Sequence, residues 1–124
     1  MRRTFLAGPD PEILIPNTRD PLYGYTRARI TELFREKLAG RVLSAYFFGS
    51  FASDSMDRDS DIDLIIVKNT DTPFLERPAE FFDLLDLVPA CDIFVYNPEE
   101  LDKLTKDPSP GFWQDVTKGM KRFV

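Results

Sequence analysis

A chain of 124 residues with 43% hydrophobic and 30% charged residues has the composition of one folded domain. At this length it buries about two-thirds of its unfolded surface around a single core. The net charge of −5, with sixteen scattered lysines and arginines, excludes a basic face broad enough for long nucleic acids. There is no histidine and one cysteine, Cys91, which removes Ser-His-Asp and Cys-His catalysis, histidine metal sites, thiolate zinc clusters and any intrachain disulfide. What remains is the chemistry of carboxylates, hydroxyls, amines and hard cations.

No apolar run approaches the roughly 20 residues of a membrane span. The N-terminal residues have two arginines but no apolar core of a secretory signal, so a cytoplasmic location and no membrane partner are expected.

In chain order, residues 1–24 carry Pro9, Pro11, Pro16 and Pro21. Each lacks a backbone donor and restricts its predecessor, which predicts an extended arm, with Ile13 to Ile15 able to add a short edge strand. Residues 25–124 form the folded domain. Ile30, Leu33, Phe34 and Leu38 recur at helical spacing, predicting a helix over 26–38 that ends at Gly40. Residues 42–48 are β-branched and aromatic and predict a first strand, followed by a short helix over 51–55. Residues 61–68 predict a second strand, apolar on both faces beyond its first positions and therefore central.

After a loop over 69–78, Phe81, Phe82, Leu84, Leu85 and Val88 predict a long amphipathic helix to residue 88, broken by Pro89. Residues 91–96 predict a third strand, and Pro98 the first residue of a helix to about 106. Ser109-Pro110 reads as an N-cap and first helical residue, with Phe112, Trp113, Val116, Met120 and Phe123 on one stripe to the C-terminus. The element order predicts an α/β domain, a small mixed sheet of three to four strands flanked by helices.

Three groups of residues can carry chemistry. Asp61 and Asp63 are two apart in a strand and so project from one face about 6 to 7 Å apart. Two such carboxylates repel unless a cation lies between them, and magnesium takes one or two carboxylates with phosphate oxygens. The alternative is a solvated turn before the strand enters the core. An EF-hand loop counted from Asp57 fails, because Ile62 falls at the glycine position and Lys68 at the bidentate glutamate. Gly49-Ser50, at a strand-to-helix turn, either admits a phosphate to the backbone or is simply a turn. Asp92 lies at the start of the third strand with Phe94 and Tyr96 on its face. It is either metal-bound, a helix cap, or paired with an arginine.

Gly49-Ser50, ten intervening residues, Asp61-Ile62-Asp63 and a later strand carboxylate together resemble the GS-x10-DxD signature of the DNA polymerase β-like nucleotidyltransferase superfamily. The run Ser60 to Leu64 is similar to its minimal nucleotidyltransferase branch. The resemblance implies that Gly49 and Ser50 hold the phosphates of a nucleoside triphosphate, and that Asp61 and Asp63 coordinate two Mg²⁺ ions, with Asp92 sharing one and activating the acceptor. It also implies transfer of a nucleoside monophosphate, AMP from ATP, to a tyrosine hydroxyl of a HEPN-domain toxin, the chain acting as antitoxin; self-association is compatible with it. Many members carry Arg-Gly where this chain has Ser53-Asp54, which replaces a positive charge with a negative one. A catalytically silent module that neutralises its partner by contact is therefore the alternative.

Overall fold

A computed structural model of the chain describes Leu22, residues 24–56 and residues 60–124. The N-terminal arm, apart from Leu22 and Gly24, lies outside the described residues.

Helix α1 (Arg27–Leu38) starts where the Thr26 side chain accepts a hydrogen bond from the Arg29 amide at 3.0 Å, satisfying one of the donors that a first turn leaves unpaired. It ends before Gly40, whose φ of +78° turns the chain away. Ile30, Phe34 and Leu38, four residues apart, are fully buried. Strands β1 (Ser44–Phe48), β2 (Ile62–Val67) and β3 (Cys91–Tyr96) follow, with the short helix α2 (Gly49–Ser53) between the first two. Helices α3 (Pro98–Lys106) and α4 (Phe112–Gly119) and a two-residue strand β4 (Lys121–Arg122) complete the chain.

The sheet runs β3-β2-β1-β4, parallel between β2 and β3 and antiparallel elsewhere. β2 is central, which is why Leu64, Ile65, Ile66 and Val67 are all buried rather than alternating in and out. One face presents Phe47, Leu64, Ile66 and Val95 to α1 and to Phe81, Leu84 and Val88. The other presents Phe48, Ile65 and Val67 to Leu101 of α3 and Val116 of α4. Each large apolar side chain so buried contributes about 1.5–3 kcal/mol. Among the described residues no helix is long and apolar enough to cross a membrane.

Two expected elements differ. In place of a loop to residue 78 and an α-helix beyond it, Phe74–Asp86 winds as 3-10 turns with a break at Phe81 (φ −113°, ψ 15°). Pro78 lies inside it, and a proline ring lacks the N–H and strikes the carbonyl four residues back, so the tighter winding prevails. Arg77 in this segment is buried, donating to the carbonyls of Thr72 and Val95 and, at 2.6 Å, to Glu100 of α3.

The last helix begins after Gly111, not at Ser109-Pro110, and stops at Gly119. Residues 121–122 then pair with Tyr46 and Phe47 along β1. The open backbone donors and acceptors of that edge outweigh the local helical periodicity. Phe123 accordingly leaves the helical stripe and stacks on Phe47, with ring centroids 4.1 Å apart.

Candidate active site

The sheet register brings the singled-out residues into one row. Phe48, the last residue of β1, lies opposite Asp63 of β2, and Asp63 lies beside Asp92 of β3. Because side chains alternate along a strand, Asp63 shares its face with Ile65 and Val67, and Asp92 with Phe94 and Tyr96. This is the face that carries α3 and α4. Asp61 and Asp92 are exposed and Asp63 half-buried, so the row is open to solvent at this end of the sheet.

Gly49 continues directly from β1 with φ of +68°, a conformation that costs other residues about 1–2 kcal/mol. A Cβ there would collide with Asp63 Oδ2. The turn is what requires glycine, and the missing Cβ leaves room for the carboxylate to lie against its backbone. Ser50 follows in the first turn of α2.

Burial pushes the Asp63 carboxyl up to about 6, helped by the charges of Asp92 and Asp61. Among the described residues no lysine or arginine is ion-paired with any of these three aspartates. Among the described residues, Asp92 is thus neither paired with an arginine nor capping a helix. It is also exposed, so the burial penalty anticipated for it falls instead on Asp63. The neighbouring Cys91 thiol is pushed up to about 12, by burial first and then by Asp92, Asp63 and Asp61, which leaves it protonated and unsuited to nucleophilic work.

The donor set is hard oxygen throughout, the type that suits Mg²⁺. Among the described residues, however, no three acidic or cysteine side chains are gathered closely enough to hold a metal ion by themselves. Since magnesium keeps several waters and binds through one or two carboxylates plus substrate phosphates, the row of Asp63 and Asp92 with Asp61 beside it fits a cation brought in with a triphosphate.

Helix α2 is held from outside by a residue that sequence reasoning missed. The Arg27 guanidinium, from the first turn of α1, donates to the Phe51 carbonyl and lies over the Phe51 ring, 4.8 Å from its centroid. Its Nε is 3.3 Å from Asp54 Oδ1, a charge contact without hydrogen-bond geometry, since Nε is buried and makes no hydrogen bond. Asp54 itself takes φ of +57°, a left-handed conformation that aspartate tolerates better than most residues. The Asp54 charge thus has a cationic neighbour, and the conformation at this position is one a glycine would adopt freely.

A four-stranded mixed sheet with helices on both faces, a glycine turn leaving one strand and carboxylates on the next two strands of the sheet is the layout of a nucleotidyl-transferring domain. The model of the nucleotidyltransferase domain family matches residues 27–115, most of the chain, and the chain belongs to that family. No curated protein matches it. Among solved structures it is similar to a candidate nucleotidyltransferase from Sulfolobus solfataricus, at 22% identity over 62% of this chain and 75% of the other, with a TM-score of 0.49. It is also similar to a toxin-antitoxin solved with AMP-PNP (19% identity, 81% of this chain, 73% of the other, TM-score 0.43). A mutant of the toxin-antitoxin MntA–HpeT gives 17% identity over the same shares, with a TM-score of 0.42. At these values the three structures add nothing to the family match.

Proposed function

We propose that this nucleotidyltransferase-family chain transfers AMP from ATP to a hydroxyl, with Asp61, Asp63 and Asp92 holding Mg²⁺ and Gly49 and Ser50 receiving the phosphates. The carrying observation is the position of Asp63, set against the Gly49 backbone on one side and beside Asp92 on the other. In the reaction the acceptor oxygen bonds to the α-phosphorus, the bond to the β-phosphate oxygen breaks, pyrophosphate leaves and the hydroxyl proton is released. Divalent cations, when bound, neutralise the phosphate charge and sharpen the acceptor oxygen. The residues of this chain do the positioning. Gly49 lets a phosphate approach the backbone, and the aspartates fix the charge centre at one end of the sheet.

The acceptor in this reading is a tyrosine of a HEPN-domain toxin, the chain serving as antitoxin in the cytoplasm, where ATP is supplied. That step rests on the sequence resemblance of Gly49-Ser50 and Ser60 to Leu64. Incubation with ATP labelled at the α-phosphate, Mg²⁺ and the partner should transfer label. Asp61→Asn and Asp63→Asn should each reduce transfer about 100-fold or more. Unchanged labelling in both variants would sink the reading.

Ser53-Asp54 favours a second reading, a silent module acting by contact. It requires that Asp63→Asn still suppress the partner's toxicity as fully as the parent does.

A further inference from the structure

An aromatic strip runs from the carboxylate row to the surface. Phe48, opposite Asp63, has Phe94 at 5.9 Å on one side and Phe112 of α4 at 6.0 Å on the other. Phe112 meets Phe48 and Trp113 at interplanar angles of 88°, so neither neighbour is stacked on it, and the residue is 58% exposed. Other large apolar side chains are exposed among the described residues, Leu43, Leu75 and Phe82 among them. Phe112 differs from them in touching the residue that faces a site carboxylate. Side chains directly opposite in an antiparallel pair are about 5 Å apart at Cβ, so one ring separates Phe112 from Asp63. A single open ring beside a phosphate-type site is the size of one planar heterocycle. It is far smaller than the roughly 800 Å² per partner of a stable protein interface.

We propose that Phe112 is the stacking platform for the base of the donor nucleotide. The inference rests on the nucleotidyltransferase reading and assigns its base subsite to α4. Stacking on an aromatic face tolerates any base but gives nothing to a triphosphate lacking one.

Trp113, the only tryptophan in the chain, has its ring 5.5 Å from Phe112 and reports occupancy by fluorescence, with calorimetry as a second readout. With Mg²⁺ present, the full chain should bind ATP more tightly than inorganic triphosphate. Phe112→Ala should weaken ATP about tenfold while leaving inorganic triphosphate unchanged, and Phe112→Tyr should restore the difference. Equal affinities for the two ligands in the parent, or no effect of Phe112→Ala, would overturn the stacking role and leave the triphosphate site standing. Failure of both ligands to bind would overturn both readings. A nucleotide-free dimer broken by Phe112→Asp would assign the ring to a second copy of the chain and overturn the proposal.

Discussion

Gly49 and Asp63 show how one contact links backbone, charge and chemistry. Gly49→Ala must hold a left-handed φ and displace the Asp63 carboxylate that lies against the backbone. The expected result is a loss of about 2 kcal/mol in denaturant unfolding, together with loss of triphosphate binding. Asp63 also makes stability depend on pH. Its carboxyl titrates near 6 in the folded chain against 3.8 ordinarily, so between those values the folded state binds more protons than the unfolded one. By linkage, the contribution of Asp63 to stability is full below 3.8 and is lost as pH rises toward 6, opposite in direction to the contributions of Asp83 and Glu100, whose carboxyls their arginine partners hold low. Asp63→Asn removes the part-buried charge and its repulsion by Asp92 and Asp61, and should be more stable than the parent above pH 6, by about 1 kcal/mol once solvent screening of a half-exposed group is allowed for. A less stable variant in urea titrations at pH 7 would contradict it. The sequence displayed Gly49, Asp61, Asp63 and Asp92 as types and spacings. It could not show that Asp63 alone bears the burial penalty, because that depends on which strand end stands open.

At the scale of elements, α2 depends on α1. Arg27 reaches 24 residues along the chain to the Phe51 carbonyl and meets the Asp54 charge. Arg27→Ala leaves that carbonyl without its donor and Asp54 without its cationic neighbour, at about 1–2 kcal/mol, and loosens the turn that starts at Gly49. Nucleotide affinity should fall in this variant while a saturating nucleotide concentration recovers most of the rate. A loss in rate alone, with affinity kept, would assign Arg27 a different role. No spacing rule pointed to this residue, since it lies on a helix whose own pattern is fully explained by Ile30, Phe34 and Leu38. The difference at Ser53-Asp54, by contrast, was plain in the sequence, and the structure supplies its neighbour.

Across the whole molecule, local pattern sufficed wherever local forces decide. The four-residue spacing of Ile30, Phe34 and Leu38, the β-branched run of β2 and Pro98 at the start of α3 each predict what forms. It failed where tertiary partners decide. Pro78 rewinds the segment beneath the sheet, and the free edge of β1 draws residues 121–122 out of a helix. Phe123→Ala, which unstacks Phe47 behind that edge strand, should cost about 2 kcal/mol for a half-buried ring and promote self-association through the uncovered edge of β1. Sedimentation and thermal unfolding of the variant check both effects.

In the proposed function, a divalent cation and a triphosphate meet at the row formed by Gly49, Asp63 and Asp92. Titration of Mn²⁺ into the chain with a non-hydrolysable ATP analogue, followed by electron paramagnetic resonance, tests it most directly. Binding should be saturable, weaken as pH drops below about 6, where protons compete for Asp63, and disappear in Asp63→Asn. Mn²⁺ binding of equal strength in the parent and in Asp63→Asn would contradict it.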